Sequence, residues 1–148
     1  MKTAIIYYSK HHENTKKIID SIAQNNEVTL IDATITQNYD LSGYDLIGFA
    51  SGIYFSKFHK SVLKFAENNL PVNKNVFFVY TYGSENTKYT KAIEEIALKK
   101  SANVVGAFGC PGLDTYGPFK LIGGIAKGRP NEDDLKNANS FYKKIVKA

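Results

Sequence analysis

The chain has 148 residues, 43% hydrophobic and 22% charged, with a formal net charge of +5. This length and composition predict one globular domain over residues 1–148 with an ordinary core, and exclude a disordered chain. A single cysteine, Cys110, excludes an intrachain disulfide framework, a CxxC redox pair and a cysteine-built zinc site. No apolar run reaches the roughly 20 residues of a membrane helix, and no basic-then-apolar leader precedes the first strand, so a cytoplasmic location is expected. The 19 basic residues include one arginine, Arg129, and the lysines are spread over several helices. They read as solvated helix faces; the sharper alternative is steering toward an acidic partner or an anionic membrane surface. Dispersed lysines without a recognised motif argue against nucleic-acid binding.

Ala4-Ile5-Ile6-Tyr7-Tyr8 is apolar without alternation, as in a parallel strand buried on both faces. Ser9-Lys10-His11-His12-Glu13-Asn14-Thr15 interrupts it, and from Lys16 on Ile18, Ile19, Ile22 and Ala23 recur at helical spacing. A strand ending in hydroxyls and opening a helix suits an anion, because first-turn N–H groups lack partners and the helix dipole favours negative charge. The loop is neither GxGxxG nor GxxxxGK[ST], so dinucleotide and nucleoside-triphosphate readings lack their glycines.

Val28 to Ile31 forms a short second strand, followed by a polar connection over 33–42. Leu46 to Ala50 is the third strand, and the aromatic stretch from Gly52 to His59 reads as a loop. Val62, Leu63, Phe65 and Ala66 mark a second helix that stops near Asn68-Asn69, before Pro71. Val76 to Tyr80 is the fourth strand and runs into Thr81-Tyr82-Gly83-Ser84. Ala92, Ile93, Ile96 and Ala97 face inward from a third helix, and Val104 to Gly109 is a fifth strand reaching Cys110. Residues 111–130 are punctuated by Gly and Pro, with a helical turn expected within 119–126. Asn131 is a good N-cap with Asp134 three residues on, and Leu135, Ala138, Phe141, Tyr142 and Ile145 form the stripe of the last helix.

Five apolar strands alternating with helices predict an α/β three-layer sandwich with right-handed crossovers. A doubly wound parallel sheet of order 2-1-3-4-5 would carry its ligand at the C-terminal strand ends. Residues 9–15, 51–59 and 81–84 converge there. Three histidines without ligand spacing give no metal site, and Cys110 reads as a buried small residue. A receiver-type signalling domain is excluded, because the first and third strands end in Tyr8-Ser9 and Ala50-Ser51 instead of aspartates.

The loop closing on Asn14-Thr15 resembles the phosphate loop of flavodoxin-like proteins, one residue longer than usual and with Glu13 where glycine is expected. Ala50 to Tyr54 with Phe58-His59-Lys60 is similar to the subfamily of menaquinone-dependent protoporphyrinogen dehydrogenase. Gly112 to Lys120 and Gly128 to Asn131 resemble a short bacterial flavodoxin group.

The resemblance implies bound FMN. Ser9, Asn14 and Thr15 would hold its phosphate with backbone N–H groups of Lys10 to Glu13, and His11 and His12 are phosphate partners or solvent-facing. Ile53, Tyr54 or Phe55 would cover one ring face and Tyr82 the other. Ser51, Gly52, Thr81 and Gly83 complete the implied set, with Gly52 and Gly83 admitting backbone to the ring. Tyr54 and Tyr82 are read as site residues ahead of core packing, whereas His59 reads as a helix cap or surface residue ahead of a proton donor. The implied function is electron transfer between a partner reductase and an acceptor. The alternative is a flavin-dependent oxidoreductase acting on a quinone or protoporphyrinogen.

Overall fold

A computed structural model describes residues 1–10, 13–84, 88–113 and 126–147. The elements run β1 (Thr3–Tyr8), α1 (Asn14–Asn25), β2 (Val28–Asp32), β3 (Leu46–Tyr54), β4 (Lys57–Phe58) and α2 (Lys60–Asn69). They continue with β5 (Asn75–Tyr82), α3 (Lys91–Lys99), β6 (Asn103–Pro111) and α4 (Glu132–Lys147). Five strands pair in parallel in the order β2-β1-β3-β5-β6, and β4 pairs antiparallel with β3. Counting only the parallel strands, this is the doubly wound order read from the sequence.

The central strands have apolar residues on both faces because both faces are covered. Period-two alternation sends Ala4 and Ile6 of β1 toward α2 and α3, and Ile5 toward α1 and α4. Val76 and Phe78 of β5 likewise share a layer with Val62, Phe65 and Ile93, while Phe77 and Val79 share the other with Ile18, Ile22 and Tyr142. The Phe77 ring lies over Gly48, where a Cβ would sit 2.4 Å from it. A side chain there would displace one of the largest buried rings of the core.

Two details depart from the sequence reading. The stretch 52–59, expected as a loop, extends β3 to Tyr54 and returns as the two-residue strand β4. Phe55 and Ser56 make the turn with φ of 52° and 65°, the geometry of a tight hairpin usually built from Asn and Gly. Neither residue type announces it. Helix α1 also starts at Asn14, ahead of its first buried apolar residue, Ile18. The helical turn expected within 119–126 falls almost wholly outside the described residues.

Helix α4 begins as expected. Asp134 N–H donates to Asn131 Oδ1 at 3.0 Å and Asn131 N–H donates to Asp134 Oδ2 at 2.8 Å, a reciprocal capping arrangement. No helix among the described residues is long and apolar enough to cross a membrane.

Candidate functional site

The C-terminal ends of β1, β3, β5 and β6 surround one cavity of about 520 Å³, within the usual range for small-molecule and cofactor sites. Its polar end is built by the β1–α1 loop. Ser9 Oγ accepts the N–H of Lys16 at 3.0 Å, so the strand end caps the first turn of α1. Among the described residues no acceptor takes the serine proton, which a hydroxyl can offer to a ligand. Helix geometry leaves the amides of Asn14 and Thr15 without an intrahelical acceptor, and both residues line the cavity with Ser9 and Lys10. Thr15 Oγ1 and Thr81 Oγ1 lie 2.8 Å apart, tying the start of α1 to the end of β5.

Glu13 is the N-cap of α1, with φ 52° and ψ 34° and no side-chain cap bond. This is the left-handed region that glycine adopts freely and a glutamate does not. The N–H of Glu13 donates to the Lys10 carbonyl at 3.3 Å, so that amide is turned into the loop instead of being free for an anion. His11 and His12 lie outside the described residues.

Asn14 is buried, and its Nδ2 donates to the carbonyl of Leu113 at 2.8 Å. Its Oδ1 is buried with no hydrogen-bond partner among the described residues, a condition that costs about 1–3 kcal/mol. Gly112 lies directly against this amide, where a Cβ would come within 2.6 Å of Nδ2. The segment is held from behind. Gly112 N–H donates to the Tyr82 carbonyl at 2.9 Å and Leu113 N–H to the Arg129 carbonyl at 2.9 Å. Arg129 in turn grips Asp134 with two 2.6 Å bonds. The guanidinium holds the Asp134 carboxyl below its usual range, aided by the Asn131 N–H and opposed by burial.

The other end of the cavity is aromatic. Tyr8 stacks face to face on His59, with centroids 3.6 Å apart and planes 2° apart. Tyr54 meets both rings edge-on, at 5.4 Å and 5.1 Å. Tyr82, on the β5 side, packs with Tyr80 and Tyr89 at 5.9 Å and 6.0 Å. Tyr54, Tyr82, Ile53 and Phe55 line the same cavity, as do Gly52, Thr81 and Gly83. Ser51 does not: it is fully buried, donates to the Gly52 carbonyl and accepts the His59 N–H at 3.0 Å. Its role is to hold the β3 end against α2 from beneath the wall.

His59 caps α2, and its Nδ1 accepts the N–H of Ser61 at 3.1 Å. Burial lowers its pKa, and the nearby positive charges of Lys60 and Lys10 lower it further. Cys110 is buried and its thiol is pushed up to about 12, mainly by desolvation. Among the described residues no cluster of His, Cys, Asp or Glu could hold a metal ion.

Sequence reasoning passed over Tyr8, Gly112 and Leu113, which also line the cavity. The signal for the last two was topological: they follow the fifth parallel strand, whose C-terminal end shares the ligand edge of the sheet.

A model of the Flavodoxin domain matches residues 5–117. The chain belongs to the flavodoxin family. An uncharacterized protein of Methanocaldococcus jannaschii is 42% identical over 149 residues, covering 99% of each chain. Oxidised flavodoxin 2 from Bacillus cereus superposes with a TM-score of 0.69 at 19% identity, over 99% of both chains. A flavoprotein from Lactobacillus acidophilus, solved in complex with FMN, has a TM-score of 0.57 at 23% identity, covering 73% of this chain and 92% of its own. The structural likenesses show a flavodoxin fold for this chain.

Proposed function

We propose that the cavity binds FMN and that the protein, acting as one domain over residues 1–148, carries electrons between a reductase and an acceptor. The observation that carries this reading is the two-ended character of one cavity. Ser9, Lys10, Asn14 and Thr15 sit at the α1 N-terminus, while Tyr54 and Tyr82 line the same space. Helix amides, hydroxyl donors and a lysine suit a phosphate; tyrosine faces suit a flat conjugated ring. The unpartnered Oδ1 of Asn14 fits as well, since a sugar-alcohol hydroxyl entering beside it would relieve an orphaned acceptor. The complex of the Lactobacillus acidophilus flavoprotein with FMN supports the choice of cofactor.

When bound, FMN supplies reversible electron uptake and release, and the protein's task is to bind and orient it. Ser9 and the start of α1 hold the anionic end. Tyr54, braced edge-on against Tyr8 and His59, and Tyr82, braced by Tyr80 and Tyr89, would confine the ring and exclude water from its faces.

The carrier reading is preferred to a quinone or protoporphyrinogen oxidoreductase because His59 is not among the residues that line the cavity. Its Nδ1 takes the Ser61 amide and its ring is covered by Tyr8. A cytoplasmic setting accords with the free, buried Cys110. The deciding experiment offers FMN-loaded protein a partner reductase in one arm, and menaquinone with a porphyrinogen in the other. Reductase-driven flavin reduction without porphyrinogen turnover is expected; turnover that His59→Asn abolishes would favour the enzyme.

A further inference from the structure

The hairpin between β3 and β4 has a residue that neither its backbone nor its packing accounts for. Phe55 and Ser56 both have positive φ, where this turn favours Asn and Gly. Phe55 nevertheless occupies the first position and is 87% exposed at the rim of the cavity. Among the described residues it is the most exposed of the large apolar side chains.

Exposed lysines stand on the same hairpin and at the start of the helix that follows it. Lys57 is exposed and pairs in register with Tyr54, immediately across the turn. Lys10 is exposed and lines the cavity, and Lys60 is exposed at the start of α2. Lys10 and Lys60 both reach His59 as like charges, and no carboxylate acts on that ring among the described residues. By contrast, Lys16 is paired with Asp20 at 2.9 Å. Within the described residues Lys57 and Lys60 have no such partner, on a chain whose net charge is +5, whereas Lys10 belongs to the phosphate end of the cavity.

We propose that Phe55, together with the exposed Lys57 across the turn and Lys60 at the start of α2, is a docking surface for an acidic redox protein. The proposal rests on the flavin reading of the cavity and adds the chemistry of the partner. A protruding aromatic side chain supplies the apolar anchor that interfaces concentrate at their centres. Exposed lysines on the hairpin and at the start of α2 raise the encounter rate with a negative surface and fix its orientation.

The test titrates FMN-loaded protein with an acidic plant-type [2Fe–2S] ferredoxin, followed by calorimetry and by backbone amide shifts. Affinity should fall by about tenfold or more between about 20 mM and about 300 mM salt. Lys57→Glu with Lys60→Glu should weaken binding by about tenfold, whereas Lys143→Glu with Lys144→Glu on α4, an equal change in net charge, should alter it less than about twofold. Phe55→Asn should raise the melting temperature, because asparagine tolerates the turn, yet weaken binding by about fivefold. A merely structural role for Phe55 would not produce that split. Equal effects of the two lysine pairs, no effect of Phe55→Asn, no ferredoxin binding, or binding only to phosphatidylserine vesicles would each overturn the proposal. Retained FMN without ferredoxin binding rejects the surface alone, and ferredoxin binding by protein that takes up no FMN rejects the flavin reading alone.

Discussion

The side-chain amide of Asn14 donates to the carbonyl oxygen of Leu113 across 2.8 Å, joining two segments 99 residues apart. The bond depends on Gly112, since a Cβ there would lie 2.6–2.8 Å from three atoms of Asn14. Gly112→Ala must therefore push Asn14 or its own backbone aside, at a cost of about 1–3 kcal/mol. A lower melting temperature together with weaker FMN binding, measured by fluorescence titration, is the expected outcome. A stable variant with parental affinity would show that this clamp does not shape the site.

Glu13 holds a left-handed backbone, φ 52°, at the mouth of α1. Replacing it with glycine relieves conformational strain, for a gain of about 1 kcal/mol. It also removes a carboxylate from the proposed phosphate end, which should tighten FMN binding by roughly threefold. Thermal melts and FMN titrations of Glu13→Gly check the two effects separately. Unchanged affinity would mean that the carboxylate is directed away from the anion.

The His59 ring lies against Tyr8 beside Lys60 and Lys10, so burial and like charge favour its neutral form. Its titration, followed by the imidazole proton shifts, should have a midpoint below the ordinary 6.5. The sign follows from a depressed folded pKa: the contribution to stability is full above the unfolded value and is lost as pH falls through the folded one. Lys60→Met should move the midpoint back upward.

Asp134 shows the carboxylate case of the same linkage. Arg129 and the Asn131 N–H favour its charged form and lower its pKa. Its stabilisation is full above about pH 4 and is lost on further acidification. Asp134→Asn should lower the melting temperature at pH 7 through loss of the ion pair and of cap strength, about 1–2 kcal/mol together. Its acid limb below pH 4 should be shallower than that of the parent. Parallel limbs would show that another carboxylate controls acid unfolding.

The doubly covered parallel sheet was legible because residues 4–8, 46–50 and 76–80 are apolar without alternation, as in strands buried on both faces, and its order was what the resemblance to flavodoxin-like proteins implied. The site loops followed from the order, since a doubly wound sheet exposes the ends of β1, β3 and β5 together. The hairpin was not legible, because Phe55 and Ser56 occupy positions where its usual signal is Asn or Gly. Nor was the burial of Ser51. Continuity with Gly52 makes it look like loop, yet the strand runs on to Tyr54 and turns its hydroxyl toward His59. The clamp of Gly112 and Leu113 on Asn14 joins segments far apart in sequence, and no local pattern encodes such a pairing.

The central claim is that the cavity between Ser9, Tyr54, Tyr82 and Leu113 holds FMN. The measurement that tests it most directly is the visible absorption spectrum of purified protein, before and after adding FMN and desalting. A flavin spectrum that survives desalting, and is lost or weakened in Gly112→Ala, is the predicted result. A protein that stays colourless in excess FMN would contradict the account, leaving a flavodoxin fold whose cavity serves another ligand.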